Sequence, residues 1–129
     1  MDNENTVVLS KRLQIIADNI TKNSVVADIG CDHAFLSIAI AQTKNPRVVY
    51  ACDINEKPLQ SAKQNIEKYG VSDKVQTVLS DGFDNLKTPE KINTVIIAGM
   101  GGELIADIIK RAGWLKDKGI TLLLQPMTT

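Results

Sequence analysis

Acidic residues around one tight turn are the first feature of this sequence that could do chemistry. Asp28, Gly30, Asp32 and His33 follow directly on the apolar run at 25–27, a pattern that predicts a strand leading into a turn. In open α/β sheets such a turn lies at the carboxyl end of the strand, where small ligands bind. A carboxylate about 4 Å from a phosphate charge costs roughly 4 kcal/mol at an effective dielectric constant near 20. Asp32 therefore disfavours a pyrophosphate and suits a cationic ligand.

The glycine pattern of this turn separates two kinds of nucleotide cofactor. The dinucleotide fingerprint G-x-G-x-x-G would require glycines at 30, 32 and 35, and only Gly30 is present. S-adenosylmethionine has no phosphate and carries a sulfonium and an ammonium group. The turn therefore favours S-adenosylmethionine over a dinucleotide. A second interpretation of Asp32, as an ordinary helix cap, is compatible with the first.

Acids after the next two predicted strands extend the cofactor site. Asp53 can accept hydrogen bonds from both ribose hydroxyls, or else cap the following helix. Asp81 is positioned for the exocyclic amine of adenine, with Gly82 and Phe83 beside the ring, or else belongs to a plain turn. The predicted cofactor-binding residues are Asp28, Gly30, Asp32, His33, Asp53, Ile54, Asp81, Gly82, Ala98 and Gly99.

Alternating strands and helices must position these residues. A helix capped by Ser10 is expected to end near 22–23. The apolar spacing of this helix and of the later ones indicates which face of each is buried. Strands are predicted at 25–29, 48–52, 75–79, 94–98 and 120–124, with helices from 35 to about 43, from 55 to 70 and from 102 to 113, a loop at 89–91, and turns at 80–83, 99–102 and 125–127. Apolar strands at βαβ spacing predict an α/β fold with a doubly wound parallel sheet, which is a Rossmann-like fold. Together with the cofactor that the first turn favours, it resembles the class I S-adenosylmethionine-dependent methyltransferase fold. We expect one domain over 1–129, truncated after the fifth strand, since complete domains of this type add two more.

Composition excludes several other classes of protein. The chain has 129 residues with 15 basic and 15 acidic side chains, so net charge does not indicate nucleic acid or a membrane surface. Cys31 and Cys52 are expected to be reduced, buried fillers, and no Cys/His cluster has the spacing of metal ligands. There is no apolar run of membrane-spanning length and no signal peptide. We therefore expect a cytoplasmic protein without a bound metal, and its oligomeric state is left open.

Three blocks of sequence resemble a known family. They are Asp-Ile-Gly-Cys-Asp-His-Ala at 28–34, Ile-Ala-Gly-Met-Gly-Gly at 97–102 and Gln-Pro-Met at 125–127. Together they resemble the bacterial tRNA (adenine-N1)-methyltransferases of the TrmK family, over nearly the whole chain from Leu9. The block at 98–102 is the most specific, because most amino-methylating relatives carry Asn or Asp followed by two prolines there.

This resemblance implies transfer of a methyl group from S-adenosylmethionine to N1 of adenine 22 in the D-arm of tRNA. It also implies a C-terminal helical part, absent here, that helps to hold tRNA. Lys11, Arg12 and Lys22 could contact RNA phosphates, or form a solvated helix face. RNA as the acceptor follows from the resemblance, because the chain lacks the aromatic residues among positive charge that would indicate it.

Three residues are candidates for catalytic roles from their positions at the predicted strand ends: His33, Met100 and Gln125. Adenine N1 has its own lone pair, so positioning matters more than a strong base. Met100, with the backbone of Gly99 and Gly101, sits where related folds place the acceptor base. Gln125 could hydrogen-bond that base, or simply end a strand. His33 could bond an adenine edge or take a proton, or merely orient the turn or pack over the cofactor.

Two other functions remain open from the sequence. The chain could be an S-adenosylmethionine-binding module that is inactive alone. It could also methylate a small molecule or another RNA.

Overall fold

Five parallel strands form one sheet, which we describe from a computed structural model covering residues 6–117 and 119–127. The strands are β1 (Val25–Ile29), β2 (Val48–Asp53), β3 (Val75–Leu79), β4 (Thr94–Gly101) and β5 (Thr121–Met127). Their spatial order is β3-β2-β1-β4-β5, and every pair is parallel. The order reverses between β1 and β4, and such a switch point opens a crevice at the carboxyl ends of the strands. The predicted Rossmann-like sheet is confirmed.

Helices cover both faces of this sheet. They are α1 (Lys11–Asp18), α2 (Phe35–Thr43), α3 (Glu56–Lys68) and α4 (Gly102–Arg111), with short 3-10 helices at Pro89–Lys91 and Gly113–Asp117. β1 is buried along its whole length. Its Val26 packs in one apolar cluster with α1, α2 and α3, whereas Ala27 and Ile29 pack in a second cluster with α4. The alternation of strand side chains thus builds one core on each face, as the doubly wound prediction requires.

The first helix is shorter than predicted. Ser10 caps it as expected, because its hydroxyl accepts a hydrogen bond from the Leu13 amide at 3.3 Å. The helix ends at Asp18 rather than near 22–23. Asn19 ends it by turning its side-chain amide onto the Ile15 carbonyl at 2.7 Å. Ile20 remains buried beyond the helix end, so its apolar spacing reported burial rather than helix.

Two predicted turns are in fact strand. The turn expected at 99–102 is absent, since β4 runs to Gly101 and α4 begins at the next residue. Gly99, at φ 77°, forms a bulge, after which pairing with β5 resumes between Met100 and Pro126. The turn expected at 125–127 is likewise wrong, because β5 runs through Met127. The loop expected at 89–91 forms a 3-10 turn.

Both cysteines are buried and unpaired, as predicted. Burial raises the pKa of each thiol, and the nearby Asp28 carboxylate raises both further. Thiols of this kind are poor nucleophiles, because the thiolate is the reactive form. Within the described ranges, no helix has the length and apolar character needed to cross a membrane.

Candidate functional site

A cleft of about 630 Å³ opens at the carboxyl ends of the first four strands. All the predicted catalytic and cofactor-binding residues line it: Asp28, Gly30, Asp32, His33, Asp53, Ile54, Asp81, Gly82, Ala98, Gly99, Met100 and Gln125. These residues come from five separate segments of the chain. The sheet brings them together because parallel strands end at the same edge.

The turn after β1 uses its own backbone amides. The amides of Gly30 and Cys31 both donate to the Cys52 carbonyl at 2.8 Å, and that of Ala34 donates to the Cys31 carbonyl at 2.8 Å. The Asp32 amide donates to an Asp53 carboxylate oxygen at 2.9 Å. A dinucleotide site needs free amides in this turn to hold a pyrophosphate. The turn therefore offers little to a phosphate, whatever the charge of its side chains.

Asp32 is not the cap of the following helix. The residue at the N-cap of α2 is Ala34, which adopts a left-handed conformation at φ 69° and makes no side-chain cap. The Asp32 side chain is 69% exposed and lies 3.7 Å from Nε2 of His33. Its carboxylate therefore faces the cleft mouth and its neighbour, so the alternative interpretation of Asp32 as a helix cap is wrong.

Asp53 joins the turns that follow β1 and β2. One carboxylate oxygen accepts from the Asp32 amide, and the other accepts from the Asn55 amide at 3.0 Å. The side chain is buried at 8% exposure, yet it lines the cleft. A carboxylate has about four acceptor positions on its two oxygens. Each oxygen of Asp53 thus keeps an acceptor position for a ligand hydroxyl while its orientation is fixed by the backbone. Asn55 itself occupies the cap of α3 without a side-chain cap bond.

Asp28 is a buried acid at the base of the cleft. It sits in the central strand with 3% exposure, and its Oδ2 accepts a hydrogen bond from Ser37 Oγ at 2.7 Å. Burial raises the pKa of Asp28 from 3.8 to about 6; the Ser37 bond opposes this rise and the Asp53 charge adds to it. A cationic group in the cleft would favour the ionised carboxylate and offset the cost of burial.

His33 is held against α3. Its Nδ1 is hydrogen-bonded to Ser61 Oγ at 2.8 Å, and its carbonyl accepts from Asn65 Nδ2 at 3.0 Å. The imidazole is about half exposed and lines the cleft. With one ring nitrogen engaged by Ser61, Nε2 is the nitrogen left to face a ligand or Asp32.

The turn after β1 and the bulge in β4 contact each other. Gly30 has φ 77°, and a side chain added there would meet the terminal methyl of Met100. Gly99 also has a positive φ, and it starts the bulge that carries Met100 over the cleft. Glycine at 30 thus allows a backbone conformation and a close approach that larger residues would hinder.

Phe83 does not lie beside this cleft. It is buried in the apolar cluster under α4 and meets Trp114 edge to face, with ring centroids 5.2 Å apart. The apolar spacing of α4 includes Leu104, yet this side chain is 49% exposed and lines the cleft. Burial of the Phe83 ring in the core under α4 takes it out of the cleft.

Sequence reasoning missed the contribution of α1 to the site. Ser10, Arg12 and Leu13 line the cleft, and Nη2 of Arg12 donates a long hydrogen bond of 3.5 Å to Oε1 of Gln125. The sequence predicts Arg12 as a contact for RNA phosphates or as part of a solvated helix face, and neither interpretation places it in the cleft. No signal in the sequence reports that the start of α1 folds over the ends of β4 and β5.

The cleft is strongly acidic. Four aspartates line it, whereas Arg12 is the sole lysine or arginine among its lining residues in the part of the chain that the structure describes. No group of three or more His, Cys, Asp or Glu side chains in those residues could hold a metal ion. The four carboxylates of the lining suit an organic cation that carries hydroxyls better than they suit a phosphate.

The fold and this cleft define a class of protein, Rossmann-like domains that bind a small nucleoside-containing ligand at the sheet edge. The chain belongs to the family described as "Methyltransferase domain", whose match covers residues 9–129.

Individual relatives agree with this assignment. The chain is 40% identical over 123 residues to the tRNA (adenine(22)-N(1))-methyltransferase of Bacillus subtilis. The aligned region covers 95% of this chain and 51% of that protein. It is also similar to the structure of Mycoplasma capricolum TrmK in complex with S-adenosyl-homocysteine, with a TM-score of 0.82, 37% identity, and 94% of this chain and 53% of that one covered.

A third similar structure is that of Streptococcus pneumoniae Sp1610, a putative tRNA (m1A22) methyltransferase, in complex with S-adenosyl-L-methionine. The TM-score is 0.82 at 34% identity, covering 92% of this chain and 56% of that one. The chain spans about half the length of the curated relatives that it matches.

Proposed function

We propose that this chain is the cofactor-binding and catalytic part of an S-adenosylmethionine-dependent tRNA methyltransferase that modifies N1 of adenine 22. The observation that carries the proposal is the chemistry of the turn after β1. The amides of Gly30, Cys31, Asp32 and Ala34 are engaged by protein acceptors, and the cleft is lined by carboxylates. That combination fits a sulfonium nucleoside and disfavours a pyrophosphate.

The assigned cofactor contacts follow the strand ends. Asp53 is assigned to the ribose hydroxyls, because each of its oxygens keeps an acceptor position. Asp81 and Gly82 are assigned to the adenine amine and ring edge, with Ile54 beside the ring. Asp28, Asp32, Gly30 and the backbone at 98–99 are assigned to the methionine part of the ligand, where carboxylates balance its positive charges.

S-adenosylmethionine, when bound, supplies an electrophilic methyl group. Met100 and the bulge at Gly99 are assigned to the acceptor side, because they lie over the turn after β1. The Gln125 amide lies beside them, paired through its strand with Ala98. Since adenine N1 is already a nucleophile, these groups act by placing the base in line.

His33 is assigned an orienting role. Its contacts to Ser61 and Asn65 on α3 support that interpretation over the transfer of a proton. The ring lies against Asp32 and shapes the cleft mouth. A contribution of Nε2 to proton removal stays a prediction. It would give His33→Ala a defect in turnover that Ser61→Ala does not share.

The acceptor is assigned from the relatives. The Bacillus subtilis and Streptococcus pneumoniae proteins carry the adenine-22 designation. Arg12, which lines the cleft, is assigned to a phosphate that flanks the target base. A tRNA substrate also implies a cytoplasmic site of action. Regions beyond this chain in the longer relatives are proposed to help hold the D-arm.

Calorimetry tests the cofactor assignment. We expect S-adenosylmethionine and S-adenosylhomocysteine to bind to the purified chain and NAD not to bind. Asp53→Asn should lose most of this affinity, because one carboxylate oxygen is replaced by a donor that faces a backbone amide. Asp73→Asn, an exposed acid outside the cleft lining, is the matched control. Binding of NAD alone would overturn the proposal.

Methyl transfer tests the acceptor assignment. The chain is incubated with labelled S-adenosylmethionine and either unmodified tRNA or a transcript with guanine at position 22. We expect label only in the first, as 1-methyladenosine at position 22. The same assay is run with a chimera in which this chain is extended by the C-terminal part of a longer relative. Cofactor binding without methyl transfer in both proteins would favour a binding module. Label on a small molecule or on another RNA position would reject the adenine-22 assignment.

A further inference from the structure

One arginine at the end of α4 reaches back to the turn after β3. Nη2 of Arg111 lies 3.0 Å from Oδ1 of Asp81, and its Nη1 lies 3.3 Å from Oδ2 of Asp84. Its Nε lies 3.3 Å from Oδ2 of Asp107, one helical turn earlier. A single guanidinium thus links α4 to two acids of the turn, and one of those acids lines the cleft.

The backbone of this turn has its own supports. Ser80 Oγ donates to the Gly82 carbonyl at 2.8 Å and accepts from the Asn85 amide at 3.0 Å. The Asn85 side chain donates to the Leu79 carbonyl at 2.7 Å. None of these bonds reaches the carboxylate of Asp81. The turn would therefore keep its path without Arg111, whereas the direction of the Asp81 carboxylate would not be fixed.

The two oxygens of Asp81 differ in their surroundings. Oδ1 accepts from Arg111, while Oδ2 has no hydrogen-bond partner among residues 6–117 and 119–127. The side chain is about half exposed on the cleft. A carboxylate anchored by a guanidinium at one oxygen presents the other in a defined direction. That free oxygen is suited to an amine donor.

We propose that Arg111 is a positioning residue that aims the Asp81 carboxylate at the exocyclic amine of the cofactor's adenine and so sets the base selectivity of the cleft. The inference rests on the proposed function, because it takes adenine as the base that meets Asp81. Arg111 itself does not touch the cofactor in this arrangement. It acts through Asp81.

Charge and packing both give Arg111 this role. Removing the guanidinium would leave the carboxylates of Asp81, Asp84 and Asp107 close together without a cation, so Asp81 would swing away from its neighbours. The turn also packs directly on α4: a side chain added at Gly82 would lie 3.2 Å from Ile108 Cγ2. The guanidinium is therefore held at the junction where α4 meets the turn.

The test compares two ligands that differ at the position Asp81 would read. S-adenosylhomocysteine carries an amine there, and S-inosylhomocysteine carries a carbonyl, which a carboxylate repels. Affinities are measured by calorimetry for the wild type, Arg111→Gln, Arg111→Lys and Asp84→Asn. The last variant weakens another ion pair of the same guanidinium without changing Asp81, and so serves as the matched control.

We expect Arg111→Gln to bind S-adenosylhomocysteine about tenfold more weakly, the size expected when one hydrogen bond to a charged group is misaligned. Its affinity for S-inosylhomocysteine should hold or rise, so selectivity for adenine falls. Arg111→Lys should keep part of the selectivity, and Asp84→Asn nearly all of it. Partial unfolding would lower both affinities together, which distinguishes a structural effect.

Equal losses for both ligands in Arg111→Gln, or wild-type selectivity in both Arg111 variants, would overturn the inference. If Arg111→Gln does not fold, the selectivity of Arg111→Lys decides in the same way. The proposed function fails differently: in that case the wild-type chain binds neither ligand. A wild type that binds both ligands without preference for adenine would overturn the inference and leave the proposed function standing.

Discussion

Replacing Asp28 by Asn should make the ligand-free protein more stable at neutral pH. Asp28 is an ionisable group in the middle of the sheet, paired in register with Ala51 on one side and Ile96 on the other. Asparagine has nearly the same shape and can still accept the hydrogen bond from Ser37 Oγ, which is 2.7 Å away in the wild type. The substitution removes the titration and replaces one carboxylate oxygen with an amide donor, whose effect does not depend on pH.

The magnitude follows from the pKa of Asp28. Burial raises it from 3.8 to about 6. Because the folded pKa is the higher one, the native state holds this proton more tightly than the unfolded chain. The group is therefore neutral in both states at low pH, and it costs stability increasingly as pH rises from 3.8 to 6. At about 1.36 kcal/mol per pH unit, the full cost above pH 6 is about 3 kcal/mol.

Chemical denaturation at several pH values measures this cost. The gain in free energy of unfolding for Asp28→Asn over the wild type should be about 1 kcal/mol at pH 4.5 and about 3 kcal/mol at pH 8. Comparing the two pH values cancels any constant effect of the amide. The exposed Asp73→Asn should show no such trend. A gain that stays constant or shrinks toward pH 8 would refute the reasoning.

The same variant should bind the cofactor worse, although it is more stable. A cationic ligand favours the ionised form of Asp28, so wild-type affinity for S-adenosylmethionine should fall as pH is lowered through about 6. In Asp28→Asn the affinity should be weaker and the fall absent. A stable protein with a weaker site is the expected signature of an acid kept for function.

Two further perturbations test the turn after β1. Gly30→Ala should cost about 1–2 kcal/mol, because its φ is positive, and should also weaken cofactor binding by displacing Met100. Gly70 has a similar φ but open space around it, so Gly70→Ala should lose stability in denaturation and keep its cofactor affinity in calorimetry. Equal cofactor affinities in the two variants would contradict the contact between residue 30 and Met100. Ser61→Ala should reproduce most of the loss in cofactor affinity caused by His33→Ala, about threefold to tenfold. A His33→Ala defect confined to turnover, with Ser61→Ala like the wild type, would instead assign His33 to proton transfer.

Apolar periodicity was enough to predict the order of strands and helices. The five strands begin or end within a few residues of their predicted positions because parallel strands buried on both faces read as short apolar runs. The predicted cleft residues followed from the same pattern, since chemistry in this fold collects where strands end. The departures occur where two distant segments meet. Pairing of β4 with β5 carries the strands through Gly99 and Pro126, and a run of glycines read alone predicts a turn.

The class of fold, the strand ends that form the cleft, and the acidic character that disfavours a phosphate ligand could all be predicted from the sequence. These depend on residue type and spacing along the chain. How each acid is held depends on the packing of the elements. Asp53 accepts hydrogen bonds from the amides of two turns, Asp28 is buried and bonded to Ser37, and Asp81 pairs with Arg111. Apart from the bond between Asp53 and Asn55, each of these contacts joins residues from different parts of the fold. Spacing along the chain cannot report them, because they depend on how the elements pack.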